Sequence, residues 1–179
     1  MTAFGKLKGR EIHARDIKLA TYEFDDERIV IEGAFVEKRL YDYQLASGKK
    51  KPAGVIHHMI IRWLFNMSTF TIEDIDAEMP TVPYEECLET VKGMSLLRGM
   101  VIASGFTIKL KELIGGTKGC AHLLALLTAM APAALQGYAA HHSQKPSGYG
   151  PERHKVVQIL VNNCHPWRSD GALVKKYLK

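Results

Sequence analysis

The first half of the chain alternates between apolar and polar residues, which is the pattern of β-strands with one buried face. Residues 29–36 are rich in β-branched side chains and follow a polar turn, so we expect them to pair with residues 11–24 as a hairpin. Residues 55–65 and 68–77 predict a second hairpin. The polar segment 47–52 between the two hairpins predicts a loop.

The second half of the chain has the spacing of helices. A capping threonine, an early proline and acidic residues predict a helix over residues 81–97. Residues 106–114 fit either a strand or a helix. A long apolar helix is expected from residue 117 to about 140, with a kink or a break at Pro132. A last amphipathic helix should begin near residue 151.

Strands followed by helices predict an α+β fold, in which an antiparallel β-sheet in the N-terminal half packs against helices from the C-terminal half. A parallel α/β sheet would require strands and helices to alternate along the chain, and they do not. A chain of 179 residues can bury a core of its own. We therefore predict a single domain over residues 1–179, strand-rich over 10–78 and helix-rich over 82–179.

The composition, 46% hydrophobic and 24% charged, is typical of a soluble globular protein. No apolar stretch predicts a membrane span, and three cysteines without a disulfide framework favour a cytoplasmic location. The net charge of +5 arises from residues 91–179, which carry 12 basic and 3 acidic residues. These cations are scattered, so the pattern favours an anionic small-molecule ligand over nucleic acid. The sequence leaves open whether the chain forms a homo-oligomer.

The most distinctive segment reads Gly-Gly-Thr-Lys-Gly-Cys-Ala-His over residues 115–122 and leads into an apolar helix. A helix N-terminus carries unpaired N–H groups and partial positive charge, which favour the thiolate form of a cysteine placed there. Cys120 and His122 can meet only if Cys120 lies at or before the helix cap, since residues two apart within a helix point in different directions. The opposing interpretation is a small buried cysteine beside a capping or core histidine.

The loop that precedes Cys120 is also a candidate anion site. Backbone amides at a helix N-terminus bind phosphate, carboxylate or a developing oxyanion. The loop does not match the nucleotide-binding phosphate loop, because its lysine precedes the last glycine. The predicted anion-binding residues are Gly116, Thr117, Lys118 and Gly119.

A second cysteine–histidine pair, Cys164-His165, follows the last predicted helix. Cys164 continues the apolar face of that helix, which favours core packing, whereas the two asparagines before it mark a helix end and favour a loop. Together with Cys120 and His122, this pair supplies ligand types that zinc accepts. The paired cysteine spacing of structural zinc sites is missing, so zinc and no cofactor are equally consistent with the sequence.

The other histidines and Cys87 are interpreted as structural. His57 lies on the apolar face of its strand, which favours a core histidine, with a pocket-lining position as the alternative. His58 points to the opposite face. His141 and His142 are expected after the end of the long helix, either in solvent or compensating the helix dipole. Cys87 lies on the apolar face of a predicted helix and is expected in the core.

Several of these stretches together resemble a family catalogued as domain of unknown function 2889. The matching stretches are residues 31–34, 57–62 and 115–123, with the regions around Gln136 and Cys164. A typical member has threonine between the cysteine and the histidine, where this chain has Ala121. The resemblance implies a single bacterial domain and no established activity.

The leading functional hypothesis is a small-molecule site built on a thiol. Its candidate catalytic residues are Cys120 as thiolate or metal ligand, His122 as its partner and Cys164 as a second sulfur, and a thiol-dependent acyl or sulfur transfer fits these groups. The alternative is a non-catalytic binding or accessory module, in which the cysteines pack and the helix end binds an anionic ligand. An iron–sulfur or sulfur-carrier scaffold is disfavoured because further cysteine motifs are missing.

Overall fold

A four-stranded antiparallel sheet forms the centre of the molecule in the computed structural model, which describes residues 5, 8–145, 148, 150 and 153–178. Its strands lie in the order β1, β2, β5, β6, and their bounds are β1 (His13–Glu23), β2 (Arg28–Arg39), β5 (Gly54–Asn66) and β6 (Thr71–Thr81). Both hairpins predicted from the sequence are present, and helices follow in the C-terminal half. The predicted α+β fold is therefore confirmed.

A short hairpin connects β2 to β5. Its strands, β3 (Tyr43–Gln44) and β4 (Lys50–Lys51), are two residues long each, and the Gln44 side chain donates a hydrogen bond to the Gly48 carbonyl across the turn. The sequence predicted only a loop here, because two-residue strands leave no alternation to detect. This hairpin lies beside the end of the sheet where the candidate site is found.

The helical elements follow the sheet along the chain. Residues Glu85–Leu97 form 3₁₀ turns where the sequence predicted a helix. Residues 106–114, which fitted either a strand or a helix, are helical, and their buried residues lie four positions apart. The α-helices are α1 (Phe106–Ile114), α2 (Ala121–Ser143), α3 (Arg153–Leu160) and α4 (Ala172–Tyr177), and short 3₁₀ turns lie at Gly116–Lys118 and His165–Trp167.

Helix α2 continues through Pro132 as one element, so the predicted break is absent. A proline removes one backbone hydrogen bond from a helix. Residues on either side of Pro132, including Leu127, Met130 and Ala134, are buried against the rest of the core. This packing stabilises the helix on both sides of the proline.

The core lies between the inner face of the sheet and α2. On β2 and β5 every second residue is buried over most of the strand length, as expected for a sheet covered on one face. Two glycines let α2 approach the sheet closely: a side chain at Gly33 would collide with Met130, and one at Gly137 would collide with Thr21. The close contact fixes the position of α2 and therefore of its N-terminus.

By length and composition alone, α2 is the one helix among the described residues that could cross a membrane. The apolar stretch expected from the sequence was shorter than this 23-residue helix. Nine of its residues are buried inside the molecule. A core helix passes the same test, so the feature is weak evidence for a membrane location.

The two histidines predicted to follow α2 lie instead in its last turn. His141 is buried, and its Nδ1 atom lies 3.2 Å from Oε1 of Glu23 on β1. His142 Nδ1 lies 3.1 Å from the Tyr138 carbonyl oxygen. Solvent exposure is wrong for His141 because α2 extends farther than the apolar pattern indicated, whereas the position of both histidines in the last turn fits the dipole-compensating alternative.

Candidate functional site

Three charged or polar side chains form a row across the inner face of the sheet. Arg15 on β1, Glu37 on β2 and His57 on β5 are direct neighbours in the strand register. Glu37 is 4% exposed and His57 is 7% exposed, although the inner face elsewhere is almost entirely apolar. The sequence analysis favoured a core role for His57 and did not consider Arg15 or Glu37. The alternation of β2 could have indicated Glu37, because this residue continues the inward-facing series of the strand after four non-polar positions.

The Glu37 carboxylate is fully engaged by nitrogen atoms. Its Oε1 atom lies 2.7 Å from His13 Nε2 and 2.8 Å from Arg15 Nη2, and its Oε2 atom lies 2.6 Å from His57 Nδ1. Burial would raise the pKa of Glu37, but the hydrogen bonds from Arg15, His13 and His57 outweigh it and lower the pKa to about 2. Glu37 is therefore a carboxylate at neutral pH, with its position fixed from three sides.

Cys120 is the N-cap of α2. Its backbone is extended, with φ −109° and ψ 129°, and its carbonyl accepts the first hydrogen bond of the helix from the Leu124 amide. The preceding residue must be glycine, because a β-carbon at position 119 would overlap the Ile114 carbonyl oxygen. From this position the Cys120 sulfur lies 3.6 Å from Nδ1 of His122. The two residues meet at the cap, which was the one arrangement in which the sequence allowed them to meet.

The surroundings of Cys120 favour the thiolate. Burial would raise the pKa of Cys120, but the hydrogen bond with the His122 ring and the backbone N–H groups of Leu123 and His122 oppose it and hold the pKa below its ordinary value. These amides belong to the first turn of α2, where N–H groups have no partner within the helix.

His122 connects the thiol to the buried carboxylate. Its Nε2 atom lies 3.5 Å from Oε2 of Glu37, while its Nδ1 atom contacts the Cys120 sulfur. The His122 ring also lies against the His57 ring, with centroids 3.9 Å apart and an interplanar angle of 32°. A thiol, an imidazole and a carboxylate thus stand in series, with a second imidazole beside them.

Two cavities, each of about 440 Å³, open beside this series. The thiol cavity is defined by Gly119 and Cys120, together with Tyr84, Glu86, Cys87 and Thr90. The histidine cavity is defined by His57 and His122, with a wall from the β3–β4 region. Tyr84 and Cys87 line both cavities, so the two adjoin. Cys87, expected in the core, is half-buried and takes part in both walls.

The predicted anion loop is only partly at the site. Gly116, Thr117 and Lys118 form a 3₁₀ turn, and the Lys118 ammonium donates a hydrogen bond to the Glu112 carbonyl at 2.8 Å. Of the four predicted residues, Gly119 is the one that lines the thiol cavity. The Lys118 side chain is therefore directed to the end of α1.

The structure does not bring Cys164 to this site. Cys164 is exposed and lines another cavity with Thr128, Pro132 and Leu135. These residues lie 8 to 15 positions along α2 from Cys120, which at 1.5 Å per residue is about 12–22 Å from the cap. His165 is exposed beside Cys164. The two-sulfur site and the zinc set of Cys120, His122, Cys164 and His165 are therefore not assembled.

A different set of side chains could hold a metal ion. Glu37, His57 and His122 each offer a ligand atom, and these atoms lie within 4.8 Å of one another; this is the one such group among the described residues. Two imidazoles and a carboxylate suit zinc or iron(II). However, the Glu37 and His57 atoms are already hydrogen-bonded to each other at 2.6 Å, and a bound cation would have to replace that hydrogen bond.

Comparison with known proteins gives one match. A family model described as "Protein of unknown function (DUF2889)" matches residues 13–136. The matched region contains the Arg15–Glu37–His57 row, Cys120 and His122, and it ends before Cys164. No curated protein and no solved structure matches the chain.

Proposed function

The chain belongs to the DUF2889 family, and we propose that it is a thiol-dependent enzyme acting on a small molecule. Cys120 is the nucleophile, His122 is the general acid and base, and Glu37 is a positioning residue that orients His122. The observation that carries this proposal is the series of contacts from the Cys120 sulfur to His122 at 3.6 Å and from His122 to Glu37 at 3.5 Å. A nucleophile, a base and a group that orients the base are the parts of an activated nucleophilic site.

Acyl transfer is the reaction class that these groups serve best. The Cys120 thiolate attacks the carbonyl carbon, a carbon–sulfur bond forms, and the leaving group departs with a proton from the His122 imidazolium. Water or another acceptor then attacks the thioester, His122 takes its proton, and the thiolate is released. The amides of the first turn of α2 are placed to stabilise negative charge near the sulfur.

We place this enzyme in the bacterial cytoplasm. All three cysteines are free, which is the expected state in a reducing compartment. The thiol of Cys120 also has to stay reduced if it is to act as a nucleophile.

The test is the pH dependence of Cys120 alkylation by iodoacetamide. Replacing Cys87 and Cys164 by serine leaves Cys120 as the one reactive thiol. We expect a rate profile with its inflection below the free-cysteine value of about 8.5, and a rate at pH 7 above that of free cysteine. His122→Gln should move the inflection upward, because it removes a contact that lowers the pKa.

His165→Gln is the matched control, because it removes the histidine of the other cysteine–histidine pair. It should leave the Cys120 profile unchanged. If Cys120 in the native fold reacts no faster than free cysteine at pH 7, the enzyme proposal fails. The non-catalytic ligand-binding module is then the better account.

Metal-assisted chemistry is the second candidate, and the clustering of Glu37, His57 and His122 favours it. The chemistry differs, because the cation would occupy the Nε2 side of His122 and leave the Cys120 thiol outside the ligand set. Metal analysis of protein purified without chelator separates the two. Stoichiometric zinc or iron that is lost in His57→Asn but kept in Cys120→Ser would support the metal site over the thiol site.

A further inference from the structure

The lining of the histidine cavity contains an arginine and lacks a carboxylate among the described residues. The arginine is Arg39, which lines the cavity together with His57 and His122. Glu37, the nearest acidic group on the same strand face, is already occupied by Arg15 and two histidines. The cavity therefore presents net positive character to a ligand.

Arg39 differs from other arginines of the sheet in having no partner. Arg15, Arg28 and Arg62 each form ion pairs with carboxylates, whereas the Arg39 side chain has no hydrogen bond or ion pair with the described residues. Arg39 is half-buried, at the end of β2. A guanidinium that is partly removed from water and unpaired is ready to bind the planar oxygens of a carboxylate or the oxygens of a phosphate.

The remaining walls of the cavity describe the rest of the ligand. Apart from Gln44 and Cys87, they are apolar or aromatic and are contributed by the β3–β4 hairpin, β5 and the segment after β6: Tyr43, Leu45, Ala46, Ile56, Pro83 and Tyr84. A volume of about 440 Å³ is in the range of small-molecule sites. The occupant that fits has an apolar or aromatic body with an anionic group at one end.

We propose that Arg39 is the specificity residue of this protein and that it binds the carboxylate or phosphate of an anionic small-molecule substrate. The reactive end of that substrate extends past His57 and His122 toward Cys120, since Tyr84 and Cys87 join the histidine cavity to the thiol cavity. This inference rests on the proposed thiol function. It assigns substrate recognition to the end of β2 instead of the loop at residues 116–119.

The test compares two aromatic disulfides that react with thiols. 5,5′-Dithiobis(2-nitrobenzoate) carries a carboxylate on each ring, and 4,4′-dithiodipyridine carries none. In both reactions the Cys120 thiolate attacks a sulfur, a mixed disulfide forms, and an aromatic thiolate leaves. The measured quantity is the rate constant for 5,5′-dithiobis(2-nitrobenzoate) divided by the rate constant for 4,4′-dithiodipyridine, in the variant that lacks Cys87 and Cys164.

Arg39→Gln should lower that ratio about 10-fold, which corresponds to loss of one charge-assisted contact of about 1.4 kcal/mol. Arg39→Lys should fall between, because an ammonium keeps the charge but not the planar fork. Arg28→Gln is the matched control: it removes the same charge from the other end of the same strand, about 36 Å away at 3.3 Å per residue. It should leave the ratio unchanged.

The outcomes separate this inference from the proposed function. If 4,4′-dithiodipyridine reacts with Cys120 no faster than with free cysteine, the thiol function itself is overturned. If 4,4′-dithiodipyridine reacts fast with Cys120 and the ratio is the same in the parent and in Arg39→Gln, the thiol function stands and the role of Arg39 is overturned. A ratio lowered by Lys118→Gln instead of Arg39→Gln overturns it in favour of the loop.

A second arm identifies the anionic group. Benzoate, phenyl phosphate and benzyl alcohol are compared as protectants of Cys120 against iodoacetamide. Protection by benzoate that is lost in Arg39→Gln supports a carboxylate substrate, and the same result with phenyl phosphate supports a phosphate. Equal protection by benzyl alcohol means that the apolar walls alone select the ligand, which contradicts the proposal.

Discussion

The molecule contains two cysteine–histidine pairs at the start of helical segments, and their surroundings make them different. Cys120 caps the 23-residue helix α2, and its partner His122 reaches a buried carboxylate. Cys164 caps a three-residue 3₁₀ turn, and both it and His165 are exposed. Although burial opposes it, contact with the His122 ring and the first-turn backbone N–H groups lowers the pKa of Cys120. The two pairs therefore share residue types and differ in the length of the helical segment and in the buried acidic partner.

The acidic partner comes from the sheet, not from the helix. Glu37 is fixed by Arg15 and His13 from β1 and by His57 from β5 before it contacts His122. Cys120 and Glu37 are 83 positions apart in the chain. The close packing of α2 on β1 and β2 brings them together, so the site depends on the tertiary fold.

The largest effect is expected when the fixed carboxylate is removed. Glu37→Gln should lower the free energy of unfolding by roughly 3 kcal/mol at pH 7, because the pKa of Glu37 falls from 4.5 to about 2 on folding and each pH unit corresponds to about 1.4 kcal/mol. A lowered folded-state pKa stabilises the fold fully above about pH 4.5, and this contribution is lost as the pH falls toward 2. Urea denaturation of the parent and of Glu37→Gln, at pH 7 and at pH 3, measures the difference in their free energies of unfolding at each pH.

Glu23→Gln is the control for this substitution. Glu23 also contacts a histidine, His141, but its side chain is 74% exposed, so the expected loss is below about 1 kcal/mol. A difference between the parent and Glu37→Gln that stays constant from pH 7 to pH 3 would show that the carboxylate is not stabilised in the way its contacts imply.

An intermediate effect is expected at Gly119, the glycine that directly precedes Cys120. Gly119→Ala places a β-carbon on the Ile114 carbonyl oxygen, so the cap must move, at a cost of about 1–3 kcal/mol. The displaced sulfur should lose part of its contact with His122 and the first-turn amides, and the pKa of Cys120 should rise. Thiolate absorbance near 240 nm, followed against pH, measures that pKa.

Gly93→Ala provides the comparison, because its β-carbon would meet Ile114 as well, but at an ordinary 3.6 Å. It should change neither the stability by more than about 0.5 kcal/mol nor the pKa of Cys120. If Gly119→Ala behaves in the same way as Gly93→Ala, the position of Cys120 does not depend on this close approach.

The sequence predicted the parts of the molecule that depend on local pattern. The two long hairpins follow from alternation. The long helix was expected from residue 117 and begins at Ala121, so that Cys120 is the cap, which the glycines before it made possible and the sequence left open. The sequence left a kink or a break at Pro132 open, and α2 continues through the proline as one element. The helical state of residues 106–114 was left open, because both periods fit so short a segment.

The site itself was half predicted, for a physical reason. Cys120 and His122 are two positions apart at the same helix start, so a local argument reaches them. Glu37 and His57 meet through cross-strand register, which one sequence does not specify, although a carboxylate and an imidazole on inward-facing strand positions were visible. Cys164 was included on residue type alone, and distance along α2 separates it from the site.

The smallest effect is expected at the second cysteine–histidine pair, and it tests the comparison most directly. Cys164→Ser and His165→Gln remove exposed side chains, so each should change the free energy of unfolding by no more than about 0.5 kcal/mol. Neither should alter the pKa of Cys120 or its rate of alkylation, because Cys164 shares its cavity with α2 residues that lie about 12–22 Å along the helix from the cap. A slower reaction of Cys120 in Cys164→Ser, measured by labelling and peptide mass spectrometry, would mean that the two sulfurs act together. The reactivity of Cys120 would then require a movement of the C-terminal segment toward the cap, and the buried carboxylate alone would not account for the difference between the two pairs.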